Sequence, residues 1–414
     1  MKKILIVQNN KPLAKLIAKK IEQDLEFEVD IAYKFSEAKL FLKGYNYFLT
    51  LIDIDLPDAK NGEIVDYVLK RDNKAIVLGK DIDKELRKKI LQKNIIDYIN
   101  KGDMDDINYI LHTIDRLQKN QKHKVLVVDD SMVFRKSMKN MLENLFYNVI
   151  TVAHGEEALS MITIHPEISL VVTDYNMPVM NGLELTKEIR KEHTRSDICI
   201  IAISSNSDDE VNAMFLKKGA NDYITKPFSK EEFSCRINNS IEALENIQLI
   251  TNHANRDFLT GLYNRRYFFD NANKYMQETI ESEEKFTIAM IDIDFFKKVN
   301  DTYGHDVGDN VIVSLSEILR ANTSYKDVVS RFGGEEFCIL LKDTNRDEAV
   351  TILERLRVEV EKFTYVTADE KHIKFTISIG ASTNENEELE EIINQADMML
   401  YNAKQNGRNQ VVID

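Results

Sequence analysis

Apolar and polar positions follow a repeating order along the first 245 residues. Short β-branched runs such as "KILIV" at Lys3 and "KVLVV" at Lys124 are each followed by stretches whose apolar residues recur at helical spacing. Runs that are apolar at every position belong to strands buried on both faces, and strands alternating with helices predict a doubly wound parallel sheet. The order occurs twice: "KILIVQNN" returns as "KVLVVDDS", "LTLIDIDLPDAKNG" as "LVVTDYNMPVMNG", and "DYINK" as "DYITK". Asp53 and Asp174 stand at the same offset as Pro57 and Pro178, so two copies of one unit are expected, over 1–120 and 122–245.

From Lys230 to Asn255 there is no Pro or Gly, and Phe233, Ile237, Ile241, Leu244 and Ile247 are spaced for one helix face. This predicts a helix that either closes the second unit or, at about 1.5 Å per residue, runs on as a coiled-coil stalk over 230–256. After it the pattern changes. "FTIAMIDI" reads as a buried strand, "GDNVIVSLSEILRA" as a helix, and "DVVSRF" and "FCILLKD" as strands flanking a Gly-Gly pair suited to a hairpin turn. Helix, strand and helix follow, so 257–414 is expected to be an α+β unit of order βαββαβ. The fold class is thus α/β multidomain: two flavodoxin-like units and one α+β unit.

Composition narrows the function. A formal charge of -14 disfavours nucleic acid and anionic membrane surfaces as partners. No apolar run approaches the roughly 18–20 residues of a membrane span. The three cysteines, Cys199, Cys235 and Cys338, show no CxxC pairing, which fits reduced thiols. A soluble, cytoplasmic protein is expected.

In the second copy, Asp129, Asp130 and Asp174 fall at the carboxyl ends of strands, where a parallel sheet opens its ligand crevice. Carboxylates so gathered repel unless a hard cation such as Mg²⁺ joins them; the alternative is that they are solvated loop acids. With Ser204 after "IIAI" and Lys226 in "TKPF", the arrangement resembles the receiver domain of response regulators. That resemblance implies that Asp174 is the phosphoacceptor and that Asp129 and Asp130 hold one Mg²⁺ with the carbonyl of Asn176. Lys226 would contact the phosphoryl oxygens, and Ser204 and Tyr223 would act as the switch pair. A histidine kinase or phosphotransfer protein would supply the phosphoryl group. In the first copy Gln8 and Asn9 replace the metal-binding acids and Gly79 replaces Ser204, while Asp53, Asp55, Tyr98 and Lys101 remain. Neutral amides lack the charge Mg²⁺ needs. Asp53 is therefore expected to be a poor acceptor, ion-paired with Lys101, in a pseudo-receiver used for dimerisation or docking.

In the third unit, the hairpin "RFGGEEF" beside the strand ending in "IDID" brings Glu335 toward Asp292, where two strand ends can share one or two divalent ions. "DFLTGLYNR", "DIDFFKKVND", "GHDVGD", "RFGGEEF" and "AKQNGRN" follow in the order of the diguanylate cyclase, or GGDEF, domain, which this unit resembles in GGEEF form. The resemblance implies two Mg²⁺ or Mn²⁺ ions bound by Asp292, the Ile293 carbonyl, Glu335 and Glu336, with one glutamate assisting deprotonation of a ribose 3'-hydroxyl. It implies guanine contacts from Asn300 and Asp309, triphosphate contacts from Lys297, Lys404, Arg408 and the backbone at Phe295 and Phe296, and room for nucleotide at Gly333 and Gly334. Asp294, Asp257 and Arg265 are read as structural. Relatives bind product through an Arg-x-x-Asp pattern; here it is "SYKD", with Ser324 for the arginine, Asp327 kept and Arg355 as a secondary contact. Weak feedback is expected. The resemblance implies condensation of two GTP into cyclic di-GMP across a homodimer, activated by phosphorylation of Asp174. The rivals are a catalytically silent sensor of GTP or cyclic di-GMP, a synthase of a mixed purine dinucleotide, and a DNA-binding regulator.

Overall fold

Each half of the sequence repeat forms a five-stranded parallel sheet. In a computed structural model, which describes residues 2–60, 62–79, 84–100, 104–205, 209–279, 285–367, 369–384 and 388–414, the chain divides into two compact units, Met1–Ile247 and Gln248–Asp414. In the first unit β1 (Lys3–Val7), β2 (Glu28–Ala32), β3 (Leu49–Asp53), β4 (Ala75–Gly79) and β5 (Asp97–Asn100) pair in the order β2-β1-β3-β4-β5. The strands β6 (Lys124–Val128), β7 (Asn148–Val152), β8 (Ile168–Asp174), β9 (Cys199–Ser204) and β10 (Asp222–Thr225) pair as β7-β6-β8-β9-β10, the same topology. The apolar runs behave as their pattern requires: Ile4 to Val7 and Val125 to Val128 are fully buried, covered by helices on both faces.

The two sheets share a core. One cluster of buried side chains joins Ile4, Ile17 and Ile114 of the first half to Met138, Phe233 and Ile237 of the second. Phe48 and Phe146 stack across the junction with ring centroids 4.6 Å apart. Arg116, on the helix Met104–Asn120, is 5% exposed and grips Glu245 with two bonds of 2.5 and 2.8 Å. His123 Nε2 lies 2.7 Å from the same carboxylate. Glu245 belongs to the helix Lys230–Asn255, whose residues Phe233, Ile237, Ile241 and Leu244 are buried, while Ile247, next in the predicted stripe, is 44% exposed. Most of the predicted apolar face is therefore used inside the first unit.

In the second unit β11 (Tyr263–Asn264), β12 (Thr287–Ile293), β13 (Val328–Gly333) and β14 (Glu336–Leu341) precede the small hairpin of β15 (Tyr365–Val366) and β16 (His372–Ile373), then β17 (Ile377–Thr383) and β18 (Val411–Ile413). The six-stranded sheet runs β11-β13-β14-β12-β17-β18. Its four central strands, antiparallel to one another, are the βαββαβ core expected from the sequence, and β11 and β18 extend its edges in parallel pairings. One face packs on the helices His305–Asn322 and Arg346–Lys362, the other on Arg265–Thr279 and Leu389–Gln405. No helix among the described residues is long and apolar enough to cross a membrane.

Candidate functional site

Strand register decides which carboxylates meet in the second unit. Asp292, near the end of β12, is paired with Glu336, the first residue of β14, and both project to the face covered by the helix Leu389–Gln405. Glu335 occupies the turn, which Gly333 (φ 148°) and Gly334 (φ 51°) allow by adopting a backbone that side chains disfavour. The sequence drew Glu335 toward Asp292; the register adds that Glu336 faces it directly. Lys404 comes from the covering helix, its Nζ 2.9 Å from Asp292 Oδ2. Burial pushes the Asp292 carboxyl above its usual range, Lys404 pulls it down, and Glu335 and Glu336 push it up again. Among the described residues, no group of three or more His, Cys, Asp or Glu is already set as a metal cage. The donor set nevertheless fits a hard divalent cation: every donor is an oxygen, and Glu335 and Glu336 stand close enough to Asp292 to push its carboxyl up.

Phe295 takes a left-handed conformation (φ 57°, ψ 30°) where it caps the helix Phe296–Tyr303. A non-glycine residue held there carries about 1–3 kcal/mol of strain, a cost concentrated at ligand sites. Lys297 is exposed on that helix, and the Arg408 guanidinium lies 4.4 Å from the centre of the Phe295 ring. Asn300, half-buried, and Asp309, exposed, stand on successive helices. Asp294 is saturated, accepting from Thr376 Oγ1 at 2.7 Å, Ser378 Oγ at 2.7 Å and the Asn409 amide at 3.0 Å. It ties down the segment that carries Arg408, a tie that the sequence reading, which gave Asp294 only to its own strand end, did not include. Sequence reasoning passed over Arg331, which reaches Asp257 at 3.0 Å and donates to the Gly334 carbonyl at 3.0 and 2.8 Å. One side chain thus fastens the domain entrance to the glycine turn. Its only signal was an arginine inside a strand next to that turn.

In the first unit, the end of β8 brings Asp174 beneath Lys226, whose Nζ lies 2.6 Å from Asp174 Oδ1 and 3.3 Å from Asp129 Oδ2. Asp129 is fully buried; burial pushes its carboxyl up, and the Ser131 amide and Lys226 offset this. Asn176 donates its amide to Asp174 Oδ2 at 3.0 Å. Asp130 is exposed in the following loop, and Arg135 donates to its carbonyl at 2.9 Å. Ser204 is buried at the end of β9 and Tyr223 half-buried on β10. The oxygens of Asp129, Asp174 and the neighbouring loop are of the type that suits a hard divalent cation.

The first half has the same local geometry with different atoms. Gln8 Oε1 accepts the Asn10 amide at 3.0 Å as Asp129 accepts that of Ser131 at 2.8 Å, and Asp53 Oδ1 accepts the Asp55 amide at 3.0 Å. Gln8 and Asp53 are both fully buried, and Gln8 Nε2 has no hydrogen-bond partner among the described residues. Asn9 donates to the Asp55 carbonyl at 2.5 Å. Lys101, the expected partner of Asp53, lies outside the described residues.

At the expected product site, Asp327 accepts the Ser324 amide at 2.7 Å and the Lys342 amide at 3.1 Å. Arg355 Nη2 donates to the Asn322 carbonyl, and Lys326 pairs with Asp343 at 3.1 Å. Ser324, Lys326, Asp327, Lys342 and Arg355 line a cavity of about 420 Å³.

Comparison with known proteins fits both sites. Residues 125–238 match the response regulator receiver domain, and residues 254–410 match the diguanylate cyclase GGDEF domain. The chain is 30% identical over 299 residues to the response regulator PleD of Caulobacter vibrioides, covering 70% of this chain and 65% of that one, so it spans just under two thirds of that relative. It is 39% identical over 176 residues to diguanylate cyclase A of Treponema denticola, covering 41% and 47% of the two chains. A crystal structure described as a two-component response regulator/GGDEF domain protein is matched over its whole length (100%) and 59% of this chain, at 33% identity and a TM-score of 0.54.

Proposed function

The chain belongs to the response regulators that join a receiver to a GGDEF domain, and on that premise we propose that it is a diguanylate cyclase controlled by phosphorylation of Asp174. The observation that carries this is the register of Asp292 against Glu336 beside the Gly333-Gly334 turn, with Lys404 on the same carboxylate. Two metal ions held by Asp292, the Ile293 carbonyl, Glu335 and Glu336 would neutralise charge on the α-phosphate. Lys297, Lys404, Arg408 and the backbone at Phe295 and Phe296 bind the triphosphate, while Asn300 and the acceptor Asp309 read the guanine edge. In each of two steps a ribose 3'-oxygen bonds to the α-phosphorus of the other GTP. The bond to pyrophosphate breaks, and the hydroxyl proton passes to one of the glutamates. Each domain holds one GTP, so two copies of the chain must face each other.

We read the first sheet as a receiver that has lost its phosphoacceptor chemistry. Its strand order equals that of the second, but Gln8 and Asn9 give no charge to a metal. The second receiver takes its phosphoryl group from a histidine kinase or phosphotransfer protein: the phosphorus–nitrogen bond of phosphohistidine breaks as a bond to Asp174 Oδ forms. Feedback through Asp327 is weak, because its carboxylate already serves the amides of Ser324 and Lys342 and no guanidinium stands at Ser324. The test is GTP with Mg²⁺ and a chromatographic readout of cyclic di-GMP. The native chain converts GTP and Glu335→Gln does not; equal turnover by both would remove the metal role.

A further inference from the structure

Gly308 lies in the first turn of the helix His305–Asn322, where glycine costs about 1 kcal/mol relative to alanine. Its φ is not positive, so backbone geometry does not call for it. Space does. A Cβ built there would lie 1.9 Å from Asn300 Oδ1, 3.0 Å from Asn300 Cγ and 3.2 Å from Phe296 Cζ. Asn300 Oδ1 is buried with no hydrogen-bond partner among the described residues, although the residue as a whole is only half-buried. The amide therefore lies with one edge sealed against the bare Cα of Gly308 and the other toward solvent. A buried amide oxygen without a partner is a cost to the fold, and the slot at Gly308 is what holds it in that orientation.

We propose that Gly308 is a positioning residue for nucleotide recognition: its missing side chain is the slot that holds the Asn300 amide with its free edge presented to the base. This rests on the reading of the second unit as a GTP site. The slot is built between the helices Phe296–Tyr303 and His305–Asn322, so a methyl group at position 308 must displace Asn300, Phe296 or the helix itself. Of the three, the Asn300 amide is nearest and turns most easily.

The test is binding of a non-hydrolysable GTP analogue by the full-length chain, with steady-state turnover in parallel. Gly308→Ala is expected to weaken binding and raise KM at least tenfold, with kcat changed less than threefold. In an Asn300→Ala background the same substitution should cost nothing further, since the group it displaces is gone. Native affinity in Gly308→Ala, or an equal loss in the Asn300→Ala background, overturns the proposal. If Gly308→Ala does not fold alone, Asn300→Ala must restore the fold; failure to do so also overturns it. Absence of analogue binding by the native chain would instead refute the GTP-site reading.

Discussion

Replacing Arg116 by Met tests whether the two parallel sheets are held as one block. Arg116 crosses from the first half to Glu245, and His123 reaches the same carboxylate. Burial acts to raise the Glu245 carboxyl, but the bonds from Arg116 and His123 outweigh it and bring it from 4.5 down to about 2. At about 1.4 kcal/mol per pH unit that drop caps the proton-linked stabilisation at about 3 kcal/mol. The Glu245 side chain is 28% exposed and its carboxyl is only partly desolvated, so solvent screening reduces this to about 1–2 kcal/mol, shared between Arg116 and His123. The carboxyl is more acidic in the folded chain than in the unfolded one. Its contribution is therefore complete above pH 4.5 and fades as pH falls toward 2. Urea denaturation followed by far-ultraviolet circular dichroism suits a chain without tryptophan. Arg116→Met removes only its own share and should lower stability by about 1 kcal/mol at pH 7, and the gap to the native chain should narrow at pH 3. The Arg116→Met/Glu245→Gln pair should be less than additive. Equal midpoints at pH 7, or a gap undiminished at pH 3, would refute the clasp.

Asp174→Ala should abolish radiolabel uptake from a phosphohistidine donor; label persisting in that variant would make Asp53 an acceptor and sink the pseudo-receiver reading. Asp292→Asn should lose GTP conversion yet melt higher than the native chain in metal-free buffer at pH 7. The native carboxyl is pushed above its usual value, so ionising it costs folded-state stability as pH rises past 3.8; a lower melting temperature would refute that sign. Gly380→Ala should destabilise the second unit by at least about 1–3 kcal/mol, because its Cβ would meet Leu400 N at 1.8 Å and Ala396 O at 2.3 Å, both backbone atoms. Unaltered thermal unfolding would show that the helix Leu389–Gln405 can retreat from β17.

Residues at strand ends were legible because topology, rather than packing, decides where they go. A parallel strand delivers its last residue to one edge of the sheet, so Asp129 and Asp174 meet whatever the core contains. The hairpin's approach to Asp292 was legible for a related reason, since two glycines mark a tight turn; that Glu336 rather than Glu335 pairs with Asp292 came only from the register. Arg331, Asp294 and Gly308 were not legible. Arg331 and Asp294 act through partners from distant segments, Asp257 and Asn409, and Gly308 through Asn300 of the preceding helix across an interhelix contact; no local period records such meetings. The shared core of the two sheets escaped for another reason. An apolar helix face reads the same whether it covers its own sheet or a neighbour's, so the stripe on Lys230–Asn255 did not reveal that it also closes the first half.

The comparison of the two sheets separates fold from chemistry. Gln8 and Asp129 occupy equivalent buried positions and make the same bond to the amide two residues on, so the exchange of carboxylate for amide left the backbone alone. What it removed is charge. At Asp129 burial works against the ionised form and Lys226 answers it, an arrangement that gains from a divalent cation; at Gln8 a neutral amide needs no counter-ion and leaves Nε2 without a hydrogen-bond partner among the described residues. On the proposed reading, a first half that does not bind Mg²⁺ still supplies Arg116 to the helix that ends the second. Its retained strand order therefore follows from packing rather than from phosphotransfer. If so, substitutions at Gln8 or Asp53 should alter stability and leave phosphorylation of Asp174 unchanged, whereas Arg116→Met should loosen the junction with both crevices intact.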